Sequence, residues 1–490
     1  MYHFNTIIMN QYLNKIALTI LIAFSAVSCS DFLDVVPQDK ILESQIYENE
    51  AGMQNVHNGL YLSLANNNLY GQQLTMDAVE ILGQQYNMPS SHNKNKIASY
   101  AYTESSPKAL FSSIWQEAFK TILYTNKFIE SIEEHPGIVS QDKADLLKGE
   151  ALGIRAMLHF DMLRLYGPIY KVSPSVLAIP YYDKAITTNQ PLIPAQEVMT
   201  KILADLDAAL ALLHKDPVLT TGRFKATSDF DANPYYSMNR GNRMNYLAVK
   251  CLKARVLLYS GDKAGASAVA NEVINFTKSN TFFPWTPFLE ATNAANPDRT
   301  FSSENFFALS DYTLYTKQRD LFDSNLKDSQ IYAPVLSRLT AVFESNDNDY
   351  RSLPSWKVPV VGGKTQKTFF KYEDVDEKKS LFRLQIPMFK LSEMYLIAAE
   401  TAPVPADGIT FLNTLRFNRG LTNLGAAVNV TTEVTKEYKK EFIGEGQLFF
   451  YYKRQNSVTI PNGSATSGNL TMGAAQYVVP LPDAEINFQN

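Results

Sequence analysis

Residues 242–274 read NRMNYLAVKCLKARVLLYSGDKAGASAVANEVI. In the first half, apolar residues recur every three to four positions, the spacing that places side chains on one face of an α-helix. Ser260-Gly261-Asp262 then supplies a helix stop followed by an N-cap. A second stripe, of smaller side chains, begins at Ala266 and includes Val269, Ala270 and Val273. The stretch predicts an antiparallel helix pair whose small residues permit close packing.

Four further stretches show the same periodicity and predict more helices of this kind. No strict 34-residue period can be aligned, so any repeats are degenerate. Helix pairs that bury their apolar faces against neighbouring pairs are typical of tetratricopeptide-like units. We therefore predict a mainly α protein with a helical-repeat scaffold. The stripes are Trp115, Phe119, Ile122 and Phe128; Leu152, Ala156, Phe160 and Leu163; Val198, Ile202, Leu206 and Leu213; and Met394–Ala399 with Leu412 and Leu415.

The segment from 280 to 385 differs in composition and predicts a variable, loop-rich insertion. It holds prolines at positions 284, 287, 297, 334, 354 and 359 and little helical periodicity. Within it, Trp356–Val361 and Thr365–Tyr372 flank Gly362-Gly363, a pattern typical of a β-hairpin with a two-residue turn. A second loop-rich stretch runs from residue 84 to 103.

The N-terminal residues have the composition of a bacterial lipoprotein signal. Lys15 precedes a short apolar run, Ile16–Phe24, and small residues then lead to Cys29. The run is shorter than the about 20 apolar residues needed to span a bilayer. We predict that residues 1–28 are removed, that Cys29 carries the lipid, and that 29–490 form a single domain containing the 280–385 insertion. The alternative is a secreted protein cut near Ala26.

Composition argues against a nucleic-acid-binding protein. A formal net charge of -4 over 490 residues, with no basic run, lacks the electrostatic footprint of that class. Aromatic residues make up 12% of the chain and charged residues only 19%. This balance suits a surface that displays rings to a neutral polar ligand, although an aromatic-rich helical core accounts for most of the rings.

Residue types that carry catalysis or bind metals show no recognisable pattern. The histidines lack ligand spacing, and no zinc, phosphate-loop, nucleophile-elbow or dinucleotide motif stands out. Once Cys29 is lipidated, Cys251 has no disulfide partner; it lies on an apolar helical face, where a buried inert thiol is expected. The sequence predicts no cofactor, no metal site and no enzyme.

Four blocks stand in order along the chain: 155–167 (RAMLHFDMLRLYG), 389–400 (FKLSEMYLIAAE), 412–420 (LNTLRFNRG) and 438–446 (YKKEFIGEG). Together they resemble signature segments of the SusD/RagB outer-membrane lipoproteins of Bacteroidetes. The beginning at Cys29–Asp34 and the ending at Pro480–Ile486 also look like that family, so the resemblance covers nearly the whole mature chain. Lys390 stands where members usually carry arginine, and 448–454 is more aromatic than usual.

The resemblance implies about four tetratricopeptide-like helix pairs and a variable region that builds the ligand face. It further implies a lipid-anchored protein on the outside of the outer membrane that covers a SusC-like TonB-dependent barrel. Such a protein captures glycans, or in some members peptides, and delivers them to the transporter without catalysis. An oligosaccharide is the ligand that we expect here.

Aromatic residues in loops are the candidates for contacting a glycan. Flat rings cover the apolar C–H patches of sugars, and amide or guanidinium groups bind the hydroxyls. Trp115 continues a helical stripe and is assigned to the core. The candidates are Trp285, Trp356, Tyr312 and Tyr315 in the insertion, and Tyr86, Tyr100 and Tyr102 in the earlier loop beside Gln84, Gln85, Asn87 and Asn93.

Glu441 and Glu445 share a helical face and superficially resemble the acid/base pair of a glycosidase. Lys439, Lys440 and Arg454 are near in sequence, and a helix carrying Arg416 and Arg419 could pack nearby, so we interpret the pair as part of a structural ion network. The same interpretation applies to Glu393 and Glu400, with Arg383 and Lys390 upstream. Two alternatives to glycan capture stay open, an adaptor that binds only proteins and a lipid-anchored glycoside hydrolase.

Overall fold

The computed structural model describes residues 46–224 and 233–489. The chain divides into two units, residues 1–53 and residues 54–490. The predicted signal sequence and Cys29, the predicted site of lipid attachment, lie outside the described residues. Within the described ranges, none of the helices combines the length and the apolarity that crossing a bilayer requires.

Most of the regular structure is helical, as the apolar stripes predict. Short 3-10 turns lie at Leu213–Lys215, Arg240–Asn242 and Ser302–Glu304. The helices are α1 Glu50–Leu64, α2 Ala78–Leu82, α3 Asn95–Ala98, α4 Ser105–Glu134, α5 Gln141–Tyr166, α6 Ala195–Leu212, α7 Val218–Thr221, α8 Pro234–Ser237, α9 Tyr246–Ser260, α10 Lys263–Ser279, α11 Phe288–Ala291, α12 Leu314–Phe322, α13 Leu336–Val342, α14 Leu391–Thr401, α15 Pro405–Phe417, α16 Val430–Glu441, α17 Leu448–Gln455, α18 Ala474–Tyr477 and α19 Asp483–Gln489.

The long helices pack as consecutive pairs, which confirms the prediction of a tetratricopeptide-like scaffold. Helix α4 packs on α5, α9 on α10, and α14 on α15, while α6 packs on α5 and α16 on α14. The α9–α10 connection follows its sequence signals. Gly261 adopts the left-handed conformation at φ +95°, and the Asp262 side chain accepts a hydrogen bond from the Gly265 amide and so caps α10. Cys251 on α9 is fully buried, as expected.

Helix α5 is buried along nearly all of its length, so its polar groups must find partners inside the protein. Arg155 binds Asp205 of α6 through two nitrogens, at 2.6 and 2.7 Å. Glu150 accepts from Arg240 at 2.6 Å. His159 bonds the Arg155 carbonyl through Nδ1 at 3.0 Å and accepts from the Tyr182 amide through Nε2 at 3.1 Å. These bonds fix the orientation of the central helix.

Acid will destabilise the protein through His159. Burial lowers the pKa of this imidazole from 6.5 to about 3, because the charged form loses its hydration. In the unfolded chain the group takes up a proton below about pH 6.5, so its stabilising contribution is present above that pH and is lost as the pH falls toward 3. We expect His159 alone to cost about 2 kcal/mol of unfolding free energy at pH 5.

The check is denaturant unfolding at pH 7 and at pH 5. His159→Gln should show a smaller loss of stability between the two pH values than the wild type, whereas His214→Gln, at an exposed site, should keep the wild-type difference. The pKa of buried His57 is also lowered by burial, so part of the loss will remain in His159→Gln. An identical pH dependence in all three proteins would contradict the assignment.

A two-stranded antiparallel sheet within the predicted insertion was not foreseen from the sequence. Strand β3, Asn305–Ser310, pairs with β6, Gln385–Lys390, and so holds the two ends of residues 311–384 together. The predicted hairpin exists as β4, Trp356–Lys357, paired with β5, Thr368–Phe369. The prediction of a two-residue turn at Gly362-Gly363 is wrong, because ten residues, 358–367, connect the two strands. The remaining strands are β1 Leu177–Ile179, β2 Ile193–Pro194, β7 Thr459–Pro461 and β8 Asn469–Thr471.

Candidate ligand-binding surface

Three of the seven predicted ligand-contacting aromatics are buried, which leaves little of each ring for a ligand. Tyr86 is 1% exposed, Trp356 3% and Tyr102 6%. The tyrosine hydroxyls donate to backbone carbonyls, and Trp356 stacks on Phe369 with ring centroids 4.4 Å apart. The two tyrosine rings pin their own segments, whereas the Trp356 ring still lines a small concavity next to Gln85 and Lys439.

Tyr100 and Tyr315 are half-buried, and their hydroxyl groups are already engaged. Tyr100 donates to the Leu82 carbonyl at 2.8 Å, and the Tyr315 hydroxyl accepts from the Leu384 amide at 3.1 Å. Tyr312 is the opposite case, with 82% of its surface exposed. A ligand role for these three residues stays a prediction.

Trp285 lies in an open depression of about 430 Å³ that we call the aromatic depression. It forms where the segment after α10 meets the C-terminal end of α15. Phe288 and Phe417 are 48% and 74% exposed, well above the exposure usual for phenylalanine. The principal lining side chains are Trp285, Phe288, Tyr350, Phe417, Asn418 and Thr422.

The depression combines ring faces with hydrogen-bonding groups. Phe288 and Tyr350 pack together with ring centroids 5.0 Å apart, and Trp285 packs beside Tyr395 at 5.1 Å. The Asn418 amide nitrogen donates to the Thr414 carbonyl at 2.8 Å, and Thr422 is exposed. Exposed aromatic rings next to amide and hydroxyl groups suit a ligand that presents both apolar C–H patches and hydroxyls.

A buried arginine positions the floor of the aromatic depression. The Arg419 guanidinium lies 5.4 Å from the centre of the Trp285 ring and donates to Glu304 at 2.7 and 2.9 Å. Glu304 in turn accepts from the Thr286 amide at 3.0 Å. The Arg419 carbonyl accepts from the Tyr350 amide at 3.1 Å. One side chain and its backbone therefore fix the rings on both sides of the depression.

Gly420 is required beside Tyr350. Its φ of +75° lies in the left-handed region, and a Cβ atom there would lie 2.3 Å from Tyr350 Cε1. A side chain at position 420 would displace the Tyr350 ring. The glycine thus keeps the aromatic depression open at this point.

Glu441 and Glu445 belong to a buried ion network, as the sequence analysis interprets them. Glu441 accepts from Arg419 at 2.9 Å, from Arg351 at 3.0 Å and lies 3.3 Å from the Lys390 ammonium. Glu445 accepts from Lys390 at 2.8 Å. Burial favours the neutral acid, but the surrounding cations outweigh it and hold the pKa of Glu441 well below its usual range. An ionised, buried carboxylate of this kind is not a proton donor.

Within residues 46–224 and 233–489, no group of three or more histidine, cysteine, aspartate or glutamate side chains is arranged to hold a metal ion.

Three members of the aromatic depression were not predicted from the sequence: Phe288, Tyr350 and Phe417. A signal for Phe417 exists, because it follows the Leu412–Leu415 stripe of α15 by two positions and so falls on the other side of the helix. Phe288 and Tyr350 stand in segments without periodicity. Only the folded chain brings them together.

Sequence comparison relates the chain to one family. The family model described as "SusD-like_3: Starch-binding associating with outer membrane" matches residues 31–228. The SusD-like protein P25 of Formosa agariphila is 26% identical over 174 residues, which is 34% of this chain and 32% of that protein. The SusD-like protein P38 of the same organism is 24% identical over 448 residues, 85% of this chain and 84% of that protein. The match to P25 thus spans about a third of its length.

Solved structures share the fold. A SusD superfamily protein from Bacteroides thetaiotaomicron superposes with a TM-score of 0.70 at 18% identity and covers 90% of this chain and 98% of its own. Surface glycan-binding protein A from Bacteroides uniformis superposes with a TM-score of 0.68 at 17% identity, again over 90% and 98%. Together with the sequence matches and the helical-repeat scaffold, these likenesses support a SusD-like family protein.

Proposed function

We propose that the protein binds an oligosaccharide at the outer face of the outer membrane and delivers it to a SusC-like TonB-dependent transporter. The observation that carries the binding proposal is the aromatic depression, where Phe288 and Phe417 expose rings beside Trp285. The family description, which names starch binding and the outer membrane, supports the ligand class and the location. The lipoprotein pattern that ends at Cys29 supports the membrane anchor.

An exposed phenylalanine ring stabilises the folded protein little, and this favours a role in binding a ligand. A ring at 74% exposure contributes little to the core, so its apolar face is available to a partner. Pyranose rings match such a face, because one side carries C–H groups while the hydroxyls project around the edge. Asn418 and Thr422 lie where edge hydroxyls would reach them. A glycan therefore uses both kinds of group in the depression.

Phe417→Ala will weaken glycan binding about tenfold, because a stacked ring is worth roughly 1.4 kcal/mol. The fold should persist, since the side chain is largely exposed. The experiment screens the full-length protein against a broad oligosaccharide panel, then titrates the best ligand calorimetrically into wild type, Phe417→Ala and Tyr312→Ala. Tyr312→Ala is a matched control, because it also removes one exposed ring.

Three outcomes are informative. Loss of affinity only in Phe417→Ala supports the aromatic depression as the binding surface. Loss only in Tyr312→Ala would move the site elsewhere in the insertion and contradict the placement. If the panel yields no glycan ligand, but the protein binds peptides or only protein partners, the alternatives of peptide capture or an adaptor replace the proposal.

Delivery to a transporter has its own test. Affinity purification of the tagged, lipidated protein from its native outer membrane should yield a TonB-dependent barrel in roughly equal amount. Purification without any such barrel would overturn the delivery step and leave glycan binding in place.

A further inference from the structure

A second concavity lies away from the aromatic depression, between α13, α16 and the backbone around residue 84; we call it the basic cleft. Its volume is about 130 Å³, which fits one substituent of a sugar rather than a whole oligosaccharide. Leu339, Ile443 and Leu448 provide apolar wall. The polar side chains that line it are Gln84, Gln85, Arg338, Lys436, Lys439 and Tyr452.

The charges that line the basic cleft are all positive. Lys436 is compensated, because it binds Glu433 at 2.8 Å and Glu344 at 3.0 Å. Arg338 donates to the backbone carbonyls of Ala465, at 2.9 Å, and Gly468, so no carboxylate offsets its charge in the described chain. Glu344, a carboxylate that contacts α16 from another segment of the chain, already binds Lys436 and Lys440.

Lys439 has no acidic partner within 4 Å in the described part of the chain, although it is only partly exposed. Its pKa is lowered, first by burial and then by repulsion from Arg338. The side-chain nitrogen of Gln85, on the same cleft, is buried with no acceptor among the described residues. A buried donor without an acceptor is costly, and so is a cation held near another cation. An anionic acceptor in the cleft would relieve both.

From this geometry we propose that the basic cleft binds the anionic group, a carboxylate or a sulfate, of an acidic oligosaccharide. The occupant is set by complementarity of charge: two uncompensated cations and an unpaired amide donor line the cleft, and none of the described residues contributes a carboxylate to it. Electrostatic complementarity of this kind selects between ligands more than it adds affinity. The inference rests on the proposed function and names the class of glycan that is selected.

The experiment compares six-unit probes by calorimetry with the full-length protein in 50 mM salt. Hexagalacturonate carries carboxylates, a carrageenan hexasaccharide carries sulfates, laminarihexaose and maltohexaose are neutral, and hexaglutamate is an acidic peptide. We expect at least one acidic hexasaccharide to bind about tenfold tighter than both neutral ones, with the preference shrinking as salt is raised. Which acidic sugar wins identifies the anionic group.

Substitutions at position 439 test whether Lys439 causes the preference for acidic over neutral hexasaccharides. Lys439→Met keeps the aliphatic stem and should lose the acidic preference about tenfold while neutral probes bind as before. Lys439→Arg should restore it, and Lys278→Met, which removes an exposed lysine on α10, should leave it intact. The rescue by arginine separates loss of charge from loss of folding.

Equal binding of acidic and neutral sugars, or an unchanged preference in Lys439→Met, would overturn this inference and leave the proposed function standing. Tightest binding of hexaglutamate would overturn it in favour of peptides. Failure of every hexasaccharide in this set and in the broad panel would overturn the proposed function as well.

Discussion

Glu441→Gln will lower the free energy of unfolding by about 3–5 kcal/mol, because it removes the carboxylate that Arg419, Arg351 and Lys390 share. Arg419 is fully buried, and Arg351 and Lys390 are nearly so, at 5% and 2% exposure. Each has a second acidic partner in Glu304, Asp349 or Glu445. The amide keeps the shape of the carboxylate, but it leaves three positive charges facing a neutral group.

The same substitution separates a structural role from a catalytic one. We expect Glu441→Gln to melt at a lower temperature and to show no change in turnover, since neither protein should hydrolyse a glycan. Its matched control is Glu272→Gln, which breaks the exposed pair with Lys250 and should cost less than about 1 kcal/mol. Hydrolysis by the wild type that disappears in Glu441→Gln, with stability unchanged, would favour the glycoside hydrolase.

Cys29→Ala will release the protein from the membrane almost completely. An amide-linked or thioether-linked acyl chain is the only anchor that the sequence predicts, and each buried CH₂ of such a chain contributes about 0.8 kcal/mol. The released chain should stay folded and bind its ligand with wild-type affinity, because the aromatic depression lies far along the chain from residue 29. Growth on that ligand should fail, since capture would no longer take place beside the transporter.

Fractionation of cells that carry each variant provides the measurement. Cys251→Ala is the control, because it removes the other cysteine of the chain and should leave the protein in the outer-membrane fraction. Membrane retention of Cys29→Ala would contradict the lipoprotein prediction. Release with normal growth on the ligand would instead contradict the need for an anchor.

The scaffold was predictable because its helices repeat simple patterns. The Leu247–Leu258 stripe, the Gly261 stop and the Asp262 cap are local signals, and the structure places α9 and α10 accordingly. The hairpin turn at Gly362-Gly363 was not predictable, because glycine pairs also occur inside longer connections. The β3–β6 pairing joins residues about 80 positions apart, and no local pattern records it.

The pairing partners in the buried ion network were also only partly predictable from the sequence. Arg419 was expected beside Glu441 and is there, but Arg351, Lys371 and Lys390 enter from or next to the insertion and were not expected. Glu393 pairs with Arg255, and Glu400 with Arg454, rather than with Arg383 or Lys390. Residue type predicted that these carboxylates would be paired; only the tertiary contacts decide the partners.

The candidate site was partly predictable for a related reason. Trp285 was identified as a loop aromatic, but the same rule selected Tyr86, Tyr102 and Trp356, which are buried. A ring in a loop pins that loop as readily as it faces a ligand, and sequence does not separate the two. Phe417, the most exposed ring of the depression, is the last residue of a helix, and the selection of loop aromatics therefore left it out.

The central claim is that the aromatic depression holds the glycan, and a crystal structure of the protein with its tightest oligosaccharide tests it most directly. We predict electron density for sugar rings stacked on Phe417 and Phe288 beside Trp285, with hydroxyls near Asn418 and Thr422. Density for the sugar elsewhere, for example over Tyr312, with an empty aromatic depression, would contradict the claim.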